Sequence, residues 1–447
     1  MSTAANTRSA PGVVYWFRND LRLHDAPGLA RAVALAERIG GWLLPVHVHD
    51  EAWHDPTPWG FARTGLHRLA WQQMAVESLG SGLHKLGSQL LHWRAEPVAS
   101  LHALLDTLGQ PELVCEEIAA PYEQTQLAQL RALGVRLHSV WQSTLIAPEA
   151  LPCPPEAVPD TFTHFRQLLE RHRVRASAPL PAPEALPPLP SPELLALAER
   201  ALAGHARALP TAQVRVDPRA AFPWHRPECH GGEAAALAHL AHYCARGLPH
   251  TYKATRNELT GVEGSSKWSP WLATGALSPR TAWAAIAAFE AEHGATPSSY
   301  WLFFELLWRD HFRWLHRKHG LRLYRAQGLG EAPVPAHNAR AFARWCQGET
   351  GDAFIDAGMR ELAATGFLSN RMRQNVASHL IHELQGDWRA GAAWFEARLI
   401  DHDVYSNQGN WLYLSGRGTD PRANRRFDSA RQAQMYDPGG HYRALWA

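Results

Sequence analysis

Over roughly the first 140 positions, the spacing of hydrophobic residues alternates between the pattern of a strand and the pattern of a helix. Short apolar runs such as VVYWF (13–17) and GWLLPVHVHD (41–50) are typical of buried strands, and Ala26–Arg38 and Arg63–Lys85 are typical of helices. The alternation continues through SQLLHW, Val98–Leu108, ELVCEEI, Gln124–Leu133 and VRLHSV. Five strands with helices between them predict an α/β domain over residues 13–146, built on a doubly wound parallel sheet.

The composition changes after this domain. Runs such as APEALPCPPEAVPD and APLPAPEALPPLPSPE are rich in proline, which interrupts helices, so residues 147–232 are predicted to form a long extended linker with one short helix, Thr161–Arg171. Residues 233–447 are predicted to be all-α, and polar residues 1–12 to be a disordered tail. The predicted helices are Ala234–Arg246, Ser278–His293, Tyr300–His319, Ala339–Gln347, Phe354–Thr365, Asn370–Gln385 and Arg389–Leu399.

Composition narrows the class of protein. A chain of 447 residues is long enough for two or three domains. Its net charge of +2 gives no overall basic field, so any anion-binding surface must be a local patch. Five cysteines without a CxxC spacing favour a reduced, cytoplasmic protein without a disulfide framework or zinc site. Neither a signal peptide nor an apolar span is recognisable, so no membrane association is expected.

The stretch from Thr365 to Tyr413 concentrates polar and aromatic chemistry. Asn370, Arg373 and Gln374 stand at i, i+3 and i+4, which places them on one face of a helix. The run DHDVYSNQGN (401–410) contains Asp401, Asp403 and Asn407 and is predicted to be a loop, because glycine and asparagine break the helical pattern. Trp388 and Trp411 are expected near separate helix ends. We interpret the stretch as a buried redox-cofactor pocket; a helical bundle with an Arg–Asp salt bridge is the alternative.

Two further motifs carry candidate chemistry in the helical half. The run GSSKWSPW (264–271) offers hydroxyls, backbone N–H groups and an ammonium at a predicted helix start, which suits phosphate, although serine-rich helix caps are also common. Glu305, Trp308 and Arg309 share one face of an otherwise apolar helix. A carboxylate there is costly without a partner, so a ligand that hydrogen-bonds to Glu305 is expected.

The predicted sheet offers a weaker candidate site. The first turn, FRNDLRLHD, lacks the GxGxxG fingerprint of dinucleotide binding. Glu116, Glu117 and Glu123 follow a strand at the carboxyl edge, where ligands of such sheets bind. A small pterin or flavin fits this position, and solvated surface carboxylates are the alternative.

Several segments together resemble the photolyase/cryptochrome family, and most closely its DASH branch. They are YWFRNDLRLHDAPGL, PDTFTHFRQLLE, TYKATRNELTGVEGSSKWSPWLATGALSPR, YWLFFELLWRDHFRWL, FIDAGMRELAATGFLSNRMRQ, DWRAGAAWFEARLIDHDVYSNQGNW and DPRANRRFDSARQAQMYDPGGHY. The resemblance implies an N-terminal antenna domain and a C-terminal domain that binds FAD in a bent conformation. It also suggests a 5,10-methenyltetrahydrofolate antenna anchored by Glu123, with deazaflavin or no second chromophore as alternatives.

The resemblance also assigns cofactor residues. Arg373 and Asp401 would form an ion pair beside the flavin ring, Asp403 would meet the ribityl chain or ring edge, and Asn407 would face a flavin nitrogen to which its neutral amide does not readily donate a proton. Trp411 and Trp388 would be the proximal and medial electron donors. Pro335 stands where the family has a surface tryptophan, so electron transfer would end at Trp388, pass to Tyr324 or Trp345, or run slowly. The residues expected at the FAD phosphates are Tyr252, Ser265, Ser266, Lys267 and Ser269.

The substrate implied by the resemblance is a cyclobutane pyrimidine dimer flipped out of DNA and split by an electron from excited, reduced FAD. Glu305 would bind the base edge, Trp308 and Tyr413 would stack on the dimer, and Asn370 would bridge to it. Arg256 and Arg371 would take phosphates, and Gln374 together with Tyr413 resembles the branch associated with single-stranded DNA. The histidine pair of (6-4) photolyases is not evident.

Two other functions use the same cofactor. One is a blue-light photoreceptor that signals to a partner without repair, and the other is a flavin-bound nucleic-acid-binding protein without catalysis. The absence of a long extension after YRALWA and the presence of Glu305 and Trp308 favour the enzyme, which is expected to be a monomer.

Overall fold

The computed structural model describes residues 11–223, 229–420 and 425–447, which divide into two compact units. The first comprises the described residues of Met1–Ala52, Val76–Gln142 and Leu180–Pro210. The second comprises the described residues of Trp53–Ala75, Ser143–Pro179 and Thr211–Ala447. Most of the expected N-terminal tail and part of the DPRANRRF motif lie outside the described residues.

A parallel sheet forms the centre of the first unit. Its strands in the described residues are β1 (Gly12–Phe17), β2 (Trp42–Asp50), β3 (Leu91–Ala95), β4 (Glu112–Glu116) and β5 (Leu137–Val140), in the order β3-β2-β1-β4-β5. Every residue of β1 except Gly12 has a buried apolar or aromatic side chain. This is expected for the central strand of a sheet covered on both faces. The chain enters and leaves the strands through α1 (Pro27–Arg38), α2 (Leu66–Lys85), α3 (Pro97–Thr107) and α4 (Pro121–Ala132). The predicted doubly wound α/β sheet is confirmed.

The proline-rich segment contains more structure than the sequence pattern predicted. Besides α5 (Phe162–Arg171), a second helix, α6 (Pro192–Ala203), forms there. Ser191 accepts a hydrogen bond from the backbone N–H of Leu194 at 3.3 Å, and Pro192 occupies the first helical turn. Ala198 and Leu202 of α6 are buried in the core of the first unit. Serine followed by proline is a helix-start signal, and the surrounding prolines obscured it.

The second unit is helical in its described residues, as the sequence predicted. Its helices after the linker are α7 (Glu233–Ala245), α8 (Tyr252–Thr255), α9 (Ser269–Thr274), α10 (Pro279–His293), α11 (Pro297–His319), α12 (Ala339–Gln347), α13 (Ala353–Thr365), α14 (Asn370–Ser378), α15 (Trp388–Arg398), α16 (Val404–Leu414), α17 (Ser429–Tyr436) and α18 (His441–Leu445). Short 3-10 turns are Glu51–His54, Pro148–Ala150, Pro155–Ala157, Leu248–His250 and Gly320–Tyr324. None of the helices in the described ranges combines the length and apolar character needed to cross a lipid bilayer.

Two local predictions in this unit were wrong. The single helix expected over Asn370–Gln385 is α-helical only to Ser378 and continues as a π-helical turn, His379–Glu383. The loop expected over 401–410 is confined to Asp401–Asp403, because α16 already begins at Val404. Asp403 caps this helix by accepting a hydrogen bond from the Ser406 N–H at 2.8 Å.

Gly409 allows α16 to pack closely against α11, and it does not break the helix. A Cβ atom at this position would lie 2.1 Å from Cδ1 of Phe312 on α11. Only glycine therefore lets α16 approach α11 this closely, and the approach brings the residues of both helices to one cavity.

Asp310 fixes the segment that precedes Pro148 to α11. Its side chain is fully buried, and its two oxygens accept hydrogen bonds from the backbone N–H groups of Leu145 and Ile146, each at 2.8 Å. A buried pair of N–H groups without acceptors would be costly, so one carboxylate holds this stretch in place.

Replacing Asp310 by asparagine tests this anchor. The amide keeps the volume of the carboxylate but presents one N–H group to a backbone donor, so D310N is expected to lower the free energy of unfolding by about 2 kcal/mol. Chemical denaturation followed by circular dichroism measures the change. D106N alters an exposed carboxylate and is expected to stay within about 0.5 kcal/mol of the wild type. Equal effects of the two substitutions would contradict the anchoring role.

Candidate functional site

A cavity of about 440 Å³ opens among the helices of the second unit. Its size and its mixture of apolar walls with a few convergent polar groups are typical of a small-molecule or cofactor site. Most of the residues that the sequence singled out line it: Tyr252, Arg256, Ser265, Ser266, Lys267, Ser269, Glu305, Trp308, Asn370, Arg373, Gln374, Asp401, Asp403 and Tyr413. These residues come from segments up to about 160 positions apart, and the fold brings them together.

Part of the cavity lining is formed by the run that precedes α9. Ser265, Ser266 and Lys267 lead into Ser269, the first residue of this helix. Lys267 has a positive φ of 55° and a side chain that is buried against the ring of Phe367. Burial lowers the pKa of the Lys267 ammonium to about 8, and nearby Glu361 opposes this effect. A buried cation beside three hydroxyls is suited to a phosphate or pyrophosphate group.

The cavity lining also contains an ion pair between α14 and the segment before α16. Nη2 of Arg373 lies 2.8 Å from Oδ2 of Asp401, and Nε of the same guanidinium donates to the carbonyl of Leu368 at 2.9 Å. The ion pair expected from the sequence is therefore present. The Asp401 side chain is 2% exposed.

The second oxygen of Asp401 provides a test of whether a cofactor fits. Oδ1 of Asp401 is buried and has no hydrogen-bond partner in the described residues. Leaving a buried carboxylate oxygen unsatisfied is costly, so Oδ1 calls for a hydrogen-bond donor, which a bound molecule can provide. An N–H group on the edge of a flavin ring, with its phosphates toward Lys267, meets this requirement. The donor set of the cavity fits FAD.

Asp403 is more fully engaged within the protein than the sequence suggested. It forms an ion pair with Arg313 and accepts the Ser406 N–H. Burial acts to raise the pKa of the Asp403 carboxyl, but Arg313, Arg309 and the Ser406 N–H hold it well below its usual range. Asp403 is therefore a permanent anion that lines the cavity, and its expected contact with a cofactor remains a prediction.

Trp308 and Tyr413 form an aromatic corner of the cavity lining. Trp308 stacks on Phe162, with ring centroids 3.9 Å apart and an interplanar angle of 10°. Tyr413 meets Trp308 edge-on at 6.2 Å, and the guanidinium of Arg425 lies 4.0 Å from the centre of the Tyr413 ring. One face of Trp308 is thus occupied by Phe162, so a planar ligand in the cavity can stack only on the opposite face.

Glu305 and Arg256 form an ion pair in this structure. The sequence had assigned them to different groups of the substrate, the base edge and a phosphate. Burial raises the pKa of the Glu305 carboxyl, and Arg256 opposes this rise. The Arg256 guanidinium also lies 5.2 Å from the ring centre of Trp301. A substrate that binds Glu305 and Arg256 separately must therefore first separate this pair.

Some predicted residues do not line the cavity. Asn407 donates from Nδ2 to the carbonyl of Ala392 at 2.9 Å, and Arg371 donates to Oδ1 of Asn257 at 3.0 Å. Trp388 and Trp411 are buried in the hydrophobic core behind the cavity. Glu123 belongs to the first unit, in the first turn of α4. The predicted roles of these residues remain predictions.

The aromatic core behind the cavity contains rings beyond the two expected tryptophans. Trp411 contacts Phe395 at a centroid distance of 5.2 Å, and Phe395 stacks on Trp345 at 6.4 Å. Trp345 is fully buried and donates from Nε1 to the carbonyl of Val376. Trp388 donates from Nε1 to the carbonyl of Ala326 at 3.1 Å. Trp345 is thus linked to Trp411 through one phenylalanine.

The sequence reasoning missed several lining residues. Ser406 and Asn410 line the cavity from α16, and Phe312 lines it from α11. Phe312 stands four positions after Trp308, so the helical spacing already placed it on the same face. Ser406, Asn410 and Tyr413 also share a helical spacing, which the loop interpretation of this run concealed.

Near the sheet edge of the first unit, polar side chains form a network. Oδ2 of Asp50 accepts hydrogen bonds from the Tyr122 hydroxyl at 2.8 Å and from Nε2 of Gln126 at 3.0 Å. Oε1 of Gln126 in turn accepts from Arg18 at 2.8 Å. Glu123 is half-buried next to this network. In the described residues, no group of three or more His, Cys, Asp or Glu side chains is arranged to hold a metal ion.

Two family profiles match the chain. The profile described as DNA photolyase matches residues 13–185, and the profile described as FAD binding domain of DNA photolyase matches residues 301–447. The second match contains Glu305, Trp308, Arg373 and Asp401.

Relatives match along nearly the whole chain. A cryptochrome DASH from Xenopus laevis is 41% identical over 444 residues, which cover 97% of this chain and 82% of the relative. A cryptochrome DASH from Gloeobacter violaceus is 40% identical over 449 residues, covering 98% of this chain and 86% of the relative.

Solved structures show the same architecture. A cryptochrome from Synechocystis sp. superposes with a TM-score of 0.88 at 38% identity, covering 98% of this chain and 88% of the other. A bacterial class III photolyase from Agrobacterium tumefaciens superposes with a TM-score of 0.76 at 26% identity, covering 100% and 88% of the two chains. With a doubly wound sheet, a helical FAD-binding domain and full-length similarity to cryptochrome DASH proteins, the chain belongs to the photolyase/cryptochrome family.

Proposed function

We propose that the protein repairs cyclobutane pyrimidine dimers in single-stranded DNA, driven by light. The observation that carries this proposal is that two chemically different groups of residues line one cavity. Lys267 and the Arg373–Asp401 pair suit an anionic flavin cofactor, and Trp308 with Tyr413 suits a pair of flat bases. When bound, reduced and excited, FAD supplies one electron to the dimer and regains it after the ring splits.

The chain's own groups would hold the cofactor in place. Lys267 and the hydroxyls of Ser265, Ser266 and Ser269 would bind its phosphates, as would Tyr252. Oδ1 of Asp401 would accept a hydrogen bond from the ring edge, while Arg373 holds the other carboxylate oxygen, Oδ2, at 2.8 Å. Asn407 would make a second contact with the ring, since its side-chain amide has a second N–H group and an oxygen besides the N–H donated to the Ala392 carbonyl.

The aromatic corner would hold the lesion. Trp308 offers one free face, and Tyr413 stands nearly perpendicular to it, so the two rings can bound two linked bases from different sides. Glu305 and Asn370 would hydrogen-bond to the base edges. Oε1 of Gln374 is buried without a hydrogen-bond partner in the described residues, so it is a further acceptor for a base N–H group.

A single strand is the substrate that best suits this site. Extruding a dimer from a duplex costs unstacking and unpairing energy, which a single strand does not require. The net charge of +2 provides little long-range attraction to a duplex. Arg256 and Arg371 would provide local phosphate contacts, once Arg256 leaves Glu305.

Other parts of the proposal follow from the sequence pattern and the family resemblance. A folate antenna would bind the first unit near Glu123, and deazaflavin or no second chromophore are the alternatives. Trp411 and Trp388 would carry electrons that reduce the flavin, and Trp345 is the next tryptophan linked to Trp411 through an aromatic contact. The protein would act as a monomer in the cytoplasm, with domain boundaries near residues 146 and 232.

Illumination of the reduced holoprotein with dimer-containing oligothymidylate tests the function. Recovery of thymine absorbance is expected with the single strand and much less with the matched duplex. A sample kept in the dark, in which no recovery is expected, controls for thermal chemistry. Retention of light-dependent flavin reduction without dimer splitting in either substrate would contradict repair and favour a photoreceptor.

Trp308 is predicted to bind the lesion by stacking. W308A is expected to weaken binding of a dimer-containing single strand about 10-fold, because base–aromatic stacking contributes roughly 1–3 kcal/mol per base. Fluorescence anisotropy with labelled strands measures the dissociation constant. W283F changes a tryptophan that contacts Phe303 outside the cavity and serves as the control. Similar affinities of W308A and the wild type would rule out the stacking role.

The affinity for FAD is predicted to depend on the charge of Lys267. Because burial lowers the pKa of this ammonium to about 8, its charge is present below that pH and is lost as the pH rises through it. FAD affinity is therefore expected to fall above about pH 8, by up to about tenfold per pH unit. K267M is expected to bind FAD more weakly at pH 7 and to lose this pH dependence.

Flavin fluorescence on dilution of the holoprotein between pH 7 and pH 9.5 measures the effect. K85M removes an exposed lysine of the first unit and is expected to keep the wild-type profile. An unchanged slope in K267M would assign the pH dependence to another group.

A further inference from the structure

A second cavity within the same unit shares the residues of the aromatic corner with the first. Its volume is about 350 Å³, which is within the range of small-molecule sites. Trp308, Phe312 and Tyr413 line both cavities, so the wall between them is made of aromatic rings. The exposed residues Thr163 and His164 are also part of the lining, so the second cavity reaches the surface.

The walls are suited to a flat, uncharged ring. Besides the three shared aromatic residues, Phe162 and Leu323 line the cavity. The residues that line it in the described structure include no lysine or arginine, so a phosphate or another anion has no cationic partner there. The carboxylate of Asp420 is engaged by Arg425, whose Nε lies 2.9 Å from Oδ2.

His311 provides a hydrogen-bond acceptor in this apolar setting. The residue is 1% exposed, and its Nε2 donates to the carbonyl of Pro159 at 2.9 Å. Burial lowers the pKa of the imidazole to about 4, so the ring is neutral at neutral pH and Nδ1 carries a lone pair. Nδ1 is buried and has no hydrogen-bond partner among the described residues.

Thr161 provides a second unsatisfied group. Its Oγ1 is buried and likewise lacks a partner in the part of the chain that the structure describes. Thr161 is the residue before α5, but its side chain does not cap that helix. Its hydroxyl can both donate and accept, so Thr161 and His311 together match a molecule whose edge combines an N–H donor with an acceptor.

We propose that this cavity binds the unpaired nucleobase that directly flanks the dimer, between aromatic walls and with its edge toward His311 and Thr161. The inference rests on the proposed function, since it extends the strand from one cavity to the next across Trp308 and Tyr413. Nucleobases combine flat faces with donors and acceptors on one edge, which is what the lining offers. The flanking base is available only in a single strand or a locally opened duplex, so this site adds a reason for single-strand preference.

Binding of single strands in which one flanking nucleotide is abasic tests the proposal. We would use the reduced holoprotein in the dark and labelled five-nucleotide strands that contain a central dimer, with the abasic analogue on the 5′ or the 3′ side. Of the two abasic strands, the one whose missing base would occupy this cavity is expected to bind about 10-fold more weakly than the intact strand. The other abasic strand is expected to bind much as the intact one does.

Two substitutions connect the effect to this cavity. T161V keeps the shape of threonine and removes only the hydroxyl. H311F keeps a ring against Phe165 and removes both the Nδ1 acceptor and the Nε2 donor to the Pro159 carbonyl. Each is expected to weaken binding of the intact strand and to reduce the difference between the intact and the sensitive abasic strand. T125V alters an exposed threonine of the first unit and is the matched control. FAD content confirms that each variant is folded.

The outcomes separate this inference from the proposed function. Equal affinity for all three strands, or equal weakening of all three by T161V and H311F, would overturn the base site, whether or not illumination splits the dimers. If no strand is split, the same comparison is made with undamaged oligothymidylate. Weaker binding of one abasic strand, together with loss of this difference in T161V and H311F, would then support the base site. Equal binding of all the strands would overturn it.

Discussion

The buried ion pair between Arg373 and Asp401 is the interaction on which the chemistry of the site depends. A carboxylate with a 2% exposed side chain is stable only if its charge is balanced, and Arg373 provides that balance from α14. The pair leaves Oδ1 of Asp401 without a partner in the described residues. The protein therefore contains an acceptor that a bound molecule can satisfy, within the region that matches a FAD-binding domain.

Helix α11 connects this cofactor region with the substrate region. Its face carries Glu305, Trp308 and Phe312 toward the main cavity, and His311 toward the second one. Asp310, on another side of the helix, holds the backbone of Leu145 and Ile146. Buried hydrogen bonds thus fix one side of the helix. Its other sides present aromatic and acceptor groups to the two cavities. A rigid helix of this kind can hold two neighbouring bases in a defined relation.

The sequence predicted features that depend on local periodicity or on short motifs. The alternation of strands and helices gave the doubly wound sheet, and helical spacing correctly placed Glu305 and Trp308 at one cavity. Helix α16 was missed because Gly409 resembles a helix breaker, whereas its role is set by the close approach of Phe312.

Contacts between segments that are distant in the sequence could not be predicted from periodicity or short motifs. Arg256 and Glu305 are 49 positions apart, and Arg313 and Asp403 are 90 apart, so no spacing rule relates them. The stacking of Phe162 on Trp308 joins the proline-rich segment to α11 and likewise depends on the tertiary fold. These contacts determine which face of Trp308 is available and which charges a substrate must displace.

A crystal structure of the holoprotein with a dimer-containing single strand would test the central claim most directly, namely that cofactor and lesion meet in this one cavity. The account predicts a flavin ring edge within hydrogen-bond distance of Oδ1 of Asp401, phosphates near Lys267, and the dimer against the open face of Trp308. A flavin bound without contact to Asp401, or a strand that bypasses Trp308, would contradict it.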